Sequence, residues 1–488
     1  MKKKICTYTS VLIVLVVLLL TACNKDSLES PLTKTLDYED IKTVDVLNSV
    51  LNSGYRILAS DMYYGRYVIL VGEVRSENCV ANLSSSPYPL MEEYNTGLYL
   101  SPQNYDIQNL WNYMYRGLAA INAVIAHADV KLEGDAKQQG LIVGQAYALR
   151  ALYHYDLLRL FGAQHAGSTV QGIPYVTTYP TENTTPARTP VAEIHMQLYQ
   201  DLDKAILLLK SQSVGAGATK MPEQVYMNYY AAHVLKARIA LWFGDWDIAL
   251  NSLQEVENSH LYRILTKVEY VEAWKKKKNT NSIFELAITA EVMNNQLSLA
   301  QLYNGGLLGD ISATKYLKDL FEPTDVRGGE QMIGENKELR KTKEQEHKEL
   351  ATYLANLGKY PDHVNNTDNI VLMRFEEVLL MKAEALFRKG DAAGALAALN
   401  EIANARGATP HDAATEDAIL LERQKELCFE GFRFDDLARF KRSVDPASKI
   451  DEALLFKLPY TYGTKVFTLP IPDQELRANP ALRQTDGY

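Results

Sequence analysis

Cysteine is scarce in this chain: the 488 residues include only Cys6, Cys23, Cys79 and Cys428. The first two lie within the first 23 residues, so two remain for the folded part, too few for a disulfide framework. The nine histidines form no HExxH pattern, and no CxxC pair occurs. Because zinc sites need clustered histidine and cysteine ligands at short spacing, we predict that the chain binds no metal and no other cofactor.

An excess of basic residues is also lacking. The chain has 51 Lys and Arg against 60 Asp and Glu, a formal net charge of −9. Nucleic-acid binding requires a basic surface, so we exclude nucleic acid as a partner. The lysine run at 275–278 is too short to change this. A G-x-S-x-G nucleophile motif is missing as well, which removes one class of hydrolase.

Long apolar runs are confined to the N-terminus. Three lysines at 2–4 precede ten apolar residues at 11–20, followed by Leu-Thr-Ala-Cys at 20–23. The run is shorter than the roughly 20 residues of a membrane-spanning helix, and its order is typical of a signal peptide. Leu-Thr-Ala-Cys resembles a bacterial lipobox. We therefore predict a signal peptide at 1–22, lipidation of Cys23 with fatty-acyl chains such as palmitate, and a lipidated tether at 23–40.

Helical periodicity dominates the rest of the chain, and its centre is the stretch GQAYALRALYHYDLLRLFG at 144–162. Apolar residues recur there every three or four positions, which predicts a buried helix with its apolar residues on one side and Arg150, Asp156 and Arg159 elsewhere. Gly162 is expected to end the helix in the left-handed conformation.

An internal repeat indicates the architecture. The segments at 236–256 and 382–402 share a Lys-Ala start, a central Gly-Asp and an Ala-Leu pair at equal offsets. Each predicts two helices joined at Gly-Asp, the pattern of tetratricopeptide-like hairpins that stack into a superhelix. We place helical repeats at 110–162, 190–258 and 371–440 of one domain at 41–488.

Two segments interrupt the helical pattern, at 61–106 and 262–361. The first is rich in tyrosine, serine and proline, and no helical period survives in it. The second contains a short alternating stretch at 281–286 that predicts a strand. Long irregular segments of a compact protein are commonly functional, so we expect both insertions to carry binding residues.

A helix predicted at 422–436 carries six charged residues at spacings of three and four. Such spacing allows ion pairs between successive turns of one helix. Paired carboxylates also occur in glycosidases, which flank a sugar bond with two acids. Every acid here has a basic neighbour one turn away, which favours a structural role.

Several motifs together resemble the SusD/RagB family of surface lipoproteins from Bacteroidetes. They are the 144–162 helix, Trp-x-x-x-Tyr at 111–115, Asp-x-Arg at 325–327, R-x-x-E-x-x-L-x-x-A-E-A at 374–385, E-R-x-x-E-L-x-x-E-G-x-R-x-x-D-L at 422–437 and Leu-Pro-Ile-Pro at 469–472. The resemblance implies a mainly α fold, a superhelix of tetratricopeptide-like pairs with irregular, loop-rich ligand-binding insertions. It also implies a non-catalytic lipoprotein on the outer face of the outer membrane. Its partner would be a SusC-like TonB-dependent transporter, over which it sits as a lid.

Most family members take glycans, and some take peptides. Sugars stack on aromatic rings and need amide or charged groups for their hydroxyls. The two insertions offer such residues, and as ligand-binding candidates we predict Tyr63, Tyr64, Tyr88, Tyr94, Trp274, Tyr303 and Asn304. A glycan-uptake protein is the leading interpretation. A peptide-uptake protein is the alternative, because extended peptides can be held through their backbones, and a surface glycosidase is the more distant one.

Overall fold

The described residues form a helical architecture with three small sheets. A computed structural model describes residues 41–81, 100–179, 184–212, 221–289, 298–304, 311–335, 354–444, 449 and 459–488. Cys23, Tyr88 and Tyr94 lie outside these residues. In the described part of the chain, no helix combines the length and apolar character that crossing a membrane requires.

The helices and strands are labelled here in chain order. The helices are α1 (Val44–Leu58), α2 (Tyr67–Val74), α3 (Tyr105–Ala126), α4 (Ala136–Phe161), α5 (Val191–Leu209), α6 (Tyr229–Phe243), α7 (Trp246–Asn258), α8 (Lys267–Ala273), α9 (Leu299–Asn304), α10 (Lys315–Asp319), α11 (Phe375–Arg388), α12 (Ala392–Arg406), α13 (Glu416–Leu427), α14 (Arg433–Arg439) and α15 (Asp473–Ala478). The strands are β1 (Cys79–Ala81), β2 (Ser282–Leu286), β3 (Ile311–Ala313), β4 (Ile333–Glu335), β5 (Leu354–Asn356) and β6 (Ile370–Arg374).

Neighbouring helices pack in sequence, which is the arrangement of a superhelix. Packing runs from α1 through α3, α4, α5, α6 and α7 to α11, which also contacts α12 and α13. The three sheets are antiparallel pairs, β1 with β3, β2 with β6 and β4 with β5. The mainly α, tetratricopeptide-like fold is therefore confirmed, and so is the strand predicted at 281–286.

The two repeated hairpins occur as predicted. They are α6–α7 and α11–α12, and the second packs against the first through α11 and α7. At the turns, Gly244 has φ of +83° and Gly390 has φ of +86°. Only glycine adopts this left-handed conformation without a steric penalty, which explains why the Gly-Asp turn recurs in both copies.

Helix α4 is buried as predicted, but from Ile142 to Phe161 the burial extends to every side and includes the charged residues. Its charges are paired within the core: Arg150 contacts Asp201 of α5, and Arg159 contacts Asp156 and Asp435. Gly162 is also not left-handed, since its φ of −73° and ψ of 139° are extended. A Cβ there would lie 2.3 Å from the carbonyl oxygen of Leu158, so close approach is what requires glycine.

Two other boundaries were wrong. The segment at 61–106 contains the helix α2, whose eight residues are all buried. A helix that is apolar all round has no amphipathic period, which is why the pattern did not reveal it. The single helix predicted at 422–436 is instead α13 and α14, because the chain reverses between them at Phe429 and Gly431, where φ is +69° and +85°.

Candidate functional site

A cleft of about 320 Å³ opens in the second predicted insertion, between the end of α8 and the segment leading into β6. Its wall combines one indole ring, three lysines, amide side chains and carboxylates. The lining residues are Leu265, Ala273, Trp274, Lys275, Lys276, Lys277, Asn279, Asn281, Glu285, Tyr360, Pro361, Asp362, Thr367, Asp368, Asn369, Val371 and Arg374.

Helix α8 sets the position of Trp274. It begins with a capping box, in which Thr266 and Glu269 satisfy each other's backbone groups, and Arg263 binds the Glu269 carboxylate through two nitrogens at 2.9 and 2.6 Å. The helix lasts two turns and ends at Trp274. The indole therefore stands at a fixed helix end beside the cleft.

Two cations lie close to the Trp274 ring. The Lys359 Nζ lies 5.0 Å from the ring centroid, and the Arg374 guanidinium carbon lies 5.8 Å from it. Cations over an indole face stabilise its position, since the ring quadrupole attracts them. The Trp274 Nε1 is buried, with no hydrogen-bond partner in the described ranges.

The turn at 360–369 supplies the polar side of the cleft. The Asp362 carboxylate accepts hydrogen bonds from the Asn365 N–H at 2.9 Å and the Thr367 hydroxyl at 2.8 Å. Burial acts to raise the pKa of Asp362, but these hydrogen bonds outweigh it and lower that pKa. Asp368 accepts a 2.6 Å bond from the Asp362 N–H, yet burial and then the Asp362 charge raise the pKa of Asp368 to about 6.

Beneath the cleft lies a network of buried ion pairs. Arg374 contacts Glu426 at 2.6 Å and Glu430 at 2.8 Å, and Arg406 contacts Glu376 at 2.7 Å and Glu426 at 3.0 Å. Since none of these side chains is more than 3% exposed, the network belongs to the core. Arg374 connects it to the cleft.

The network corrects the interpretation of the charged helix. Glu422 and Glu426 pair with Arg327, at 2.6 and 3.1 Å, and not with bases one turn away. The spacing of four residues places these acids on one buried face of α13, where they contact arginines from other elements. Burial acts to raise the pKa values of Glu426 and Glu430. The guanidinium groups of Arg406, Arg374 and Arg327 nevertheless hold the pKa of Glu426 well below its usual range, and Arg374 and Lys359 lower the pKa of Glu430. These acids are therefore ionised and paired.

Three predicted ligand residues lie in the core instead. Tyr63 and Tyr64 donate hydrogen bonds to the two carboxylate oxygens of Asp156, at 2.7 and 3.0 Å, and hold α4 in place. Tyr303 is fully buried and its ring lies parallel to that of Tyr360 at 6.3 Å. Buried rings cannot stack on a ligand, so these tyrosines are packing residues in this structure.

Asn304 and Trp274 are the predicted residues that keep some exposure. Asn304 ends α9 and is half-buried. It does not line the cleft around Trp274. Of the described candidates, only Trp274 does so.

The turn carrying Asp362 and Asp368 was not predicted, because it lies just beyond the second predicted insertion, which ends at 361. The stretch Pro-Asp-His-Val-Asn-Asn-Thr-Asp-Asn at 361–369 is dense in Asn and Asp. These residues favour turns because their side chains bond to nearby backbone, and that density was the available signal. Within the described ranges, no three His, Cys, Asp or Glu side chains are arranged to hold a metal ion.

Comparison with known families identifies two regions. The profile of the SusD family matches residues 354–488. That of a family described as "Starch-binding associating with outer membrane" matches residues 32–241. Together they cover both ends of the superhelix.

Individual proteins are similar over the whole chain or part of it. SusD-like protein P2 of Formosa agariphila is 22% identical over 98% of this chain and 99% of its own. The starch-binding protein SusD of Bacteroides thetaiotaomicron is 32% identical over 27% of this chain and 24% of its own.

Solved structures share the fold. A putative sugar binding protein from Bacteroides vulgatus superposes with a TM-score of 0.75 at 26% identity, covering 92% of this chain and 99% of its own. A SusD superfamily protein from Bacteroides thetaiotaomicron gives a TM-score of 0.75 at 24% identity, covering 91% of this chain and 99% of its own.

Proposed function

Because this chain belongs to the SusD-like family, we propose that it is a non-catalytic surface lipoprotein that binds glycans and passes them to a SusC-like, TonB-dependent outer-membrane transporter. In this proposal the protein is anchored through Cys23, faces the cell exterior and covers the transporter as a lid. The relatives named as starch-binding or sugar-binding support the glycan class.

The observation that carries the proposal is Trp274 beside a cleft of amides and carboxylates. A pyranose ring has an apolar face that stacks on an indole, while its hydroxyls need hydrogen-bonding groups around the rim. Asn279 and Asn369 supply amides, and Asp362 supplies a carboxylate. The cleft is preformed, because the capping box of α8 and the ion-pair network fix its walls. The unpartnered Trp274 Nε1 adds a donor that a ligand hydroxyl would satisfy after a small movement of the ring.

A thermal-shift screen of the soluble chain starting after residue 23 tests the ligand class. The panel comprises maltoheptaose, soluble starch, cellohexaose, xylohexaose, laminarin and a mixture of tryptic peptides. A ligand that binds only the folded state raises the melting temperature by mass action. A shift with one of the saccharides supports the proposal. A shift with peptides alone moves the chain to peptide uptake, the alternative that the exposed lysines of the cleft favour.

A glycosidase is the second alternative, and Asp368 is the observation that favours it. A carboxyl with a pKa of about 6 beside an ionised Asp362 resembles the acid and base pair of such enzymes. Incubation of the same saccharides with protein, followed by reducing-sugar analysis, tests this. We expect no turnover. Turnover that Asp368→Asn abolishes would replace the binding proposal with an enzymatic one.

Anchoring and partnership need separate tests. Metabolic labelling with radioactive palmitate should mark the wild-type protein and not Cys23→Ser. Affinity purification from detergent-solubilised outer membranes should recover a TonB-dependent barrel in equimolar amount. Recovery of the lipoprotein without the barrel would contradict the lid role and leave glycan binding unaffected.

A further inference from the structure

A second and larger groove lies along the N-terminal half of α3, away from the elements that form the Trp274 cleft. Its volume is about 790 Å³, against about 320 Å³ for the cleft. One wall is the outer face of α3. The opposite wall comes from the segments at 174–178 and 184–186 and from the C-terminal region at 475–482.

The composition of the α3 face is unusual for a solvated helix. Its outward positions carry tyrosines, amides and one arginine, namely Tyr105, Gln108, Asn109, Asn112, Tyr113 and Arg116. Lysine and glutamate are missing from this face. By contrast, the exposed positions of α7 include Asp247, Gln254 and Glu255, as expected for a face that only meets water. The α3 face therefore has the residue types of a binding surface.

These side chains form a continuous stripe. Tyr105, Asn109, Asn112 and Arg116 follow one another at spacings of four, three and four, which places them on one side of the helix. At a rise of about 1.5 Å per residue the stripe is about 16 Å long. Tyr105 is 71% exposed, and the Arg116 guanidinium lies 5.2 Å from the Tyr113 ring centroid.

The stripe has unused hydrogen-bonding capacity. The side chains of Asn109, Asn112 and Arg116 make no hydrogen bond or ion pair with any other residue that the structure describes. The groove beneath them is nevertheless rigid. The Tyr115 hydroxyl donates to the Pro174 carbonyl at 2.9 Å, and the Asn479 amide donates to the Pro186 carbonyl at 2.8 Å, so hydrogen bonds tie the walls to their neighbours.

We propose that this α3 groove is a second saccharide-binding site, which takes several consecutive sugars of a glycan along the helix. Tyr113 offers a ring for stacking in the groove, and the two asparagines and Arg116 offer donors to sugar hydroxyls or acidic groups. Tyr105 lies on the same side of the helix but does not line the groove. We favour a saccharide over a protein partner because Asn109 and Asn112 are amides, the groups that bind sugar hydroxyls. Tyrosine and arginine suit either occupant. The inference rests on the proposed glycan function and extends it to two sites on one chain.

A polymer that is long enough to reach both sites would bind the chain bivalently. A glycan that spans both sites dissociates only when both release it, so avidity exceeds the affinity of either site alone. Short oligosaccharides would instead occupy the sites independently. A higher affinity for long polymers than for short oligosaccharides is therefore the result that a second site predicts.

Isothermal titration calorimetry with five proteins tests the inference: wild type, Trp274→Ala, Tyr113→Ala, the double variant and the control Gln254→Ala. Gln254 is an exposed amide on α7 that does not line the groove. Asn112→Ala replaces Tyr113→Ala if that variant fails to fold. The probe is maltoheptaose, or the hexasaccharide of the panel that gives the largest thermal shift. We expect two sites in wild type and Gln254→Ala, one in Trp274→Ala and in Tyr113→Ala, and none in the double variant. Binding of the parent polysaccharide should weaken at least about tenfold on loss of either site.

The outcomes separate the two proposals. If Trp274→Ala alone abolishes all binding and Tyr113→Ala changes nothing, the second site is refuted and the glycan function stands. If Tyr113→Ala or Asn112→Ala weakens recovery of the transporter and leaves saccharide binding intact, the groove is a protein contact and the inference is wrong. If no saccharide of the panel binds the wild-type protein, the glycan function itself fails and the second site falls with it.

Discussion

Replacing Arg406 with methionine should destabilise the fold strongly. Arg406 is completely buried, and it donates to the Glu376 and Glu426 carboxylates and to the Leu265 carbonyl. Methionine has a similar length and keeps the apolar contacts, but it leaves carboxylate charge uncompensated in the core. Removing one partner of a buried ion pair costs about 3–5 kcal/mol. The free energy of unfolding from urea denaturation at pH 7 should fall by that amount.

The pH dependence gives the same prediction a second readout. Burial acts to raise the pKa of Glu426, but Arg406, Arg374 and Arg327 lower it well below its usual range. A lowered native pKa adds stability above the unfolded-state value of about 4.3, and this stability is lost as the pH falls through the native pKa. Without Arg406 the pKa of Glu426 rises, so acid unfolding should begin at a higher pH than in wild type.

Arg442→Met is the matched control. Arg442 also pairs with carboxylates, Glu416 and Asp417, but it is 45% exposed. Exposed ion pairs contribute about 0–1 kcal/mol, so this variant should be nearly neutral. Suppose that Arg406→Met loses no more stability than Arg442→Met and that its acid unfolding begins at the wild-type pH. The buried ion-pair network would then not stabilise the fold.

Three further predictions concern single side chains. Asp368→Asn should flatten the pH dependence of stability between about pH 4 and 6, measured by thermal unfolding. Burial raises the native pKa of Asp368 to about 6, so the stabilising contribution of this residue is present at low pH and is lost as the pH rises through that value. An unchanged profile would show that Asp368 titrates normally. Gly390→Val should destabilise the α11–α12 turn by about 1–2 kcal/mol, and Gly390→Asn should destabilise it by less. There is room for a side chain at this position, so the cost comes from the left-handed backbone conformation, which asparagine tolerates better than valine. Equal effects of the two variants would contradict this. Tyr63→Phe should cost about 1.5–3 kcal/mol, because it removes a buried hydrogen bond to the Asp156 carboxylate. It should leave saccharide affinity unchanged in calorimetry; a loss of affinity would return Tyr63 to the binding site.

Local patterns predicted the repeated hairpins well, because each depends on residues close in sequence. A glycine at the turn and small residues at the helix contact are sufficient to specify them, and both copies appear at Gly244 and Gly390 with matching φ. The strand at 282–286 was equally accessible, since alternation is a local property.

Burial depends on residues far apart in sequence, and this is where prediction failed. Helix α4 was predicted to be buried, but the burial of its charged Arg150 and Asp156 was not, because their partners, Asp201 and Tyr63, lie on distant segments. The tyrosines at 63 and 64 resembled binding residues for the same reason. A tyrosine is equally suited to a ligand surface and to a buried hydrogen bond, so the sequence does not distinguish the two.

The cleft was predicted in part. Trp274 was predicted because it is an aromatic residue of the second insertion, whereas Asp362 and Asp368 reach the cleft through a turn about ninety positions later. Their proximity follows from the pairing of β2 with β6, which brings residues 282–286 beside 370–374. No local pattern encodes that pairing.

Calorimetry of Trp274→Ala against its matched control tests the account most directly. The control is Trp246→Ala, which removes a half-buried tryptophan at the start of α7, outside the cleft. Both proteins, each shown by thermal unfolding to be folded, are titrated with the oligosaccharide that stabilises the wild type. If the indole is a stacking anchor, Trp274→Ala should lose more than about 1 kcal/mol of binding free energy at the cleft. A loss of about 1.4 kcal/mol corresponds to a tenfold rise in Kd. Trp246→Ala should bind like wild type. Equal affinity in all three proteins would contradict the assignment of this cleft as the glycan site.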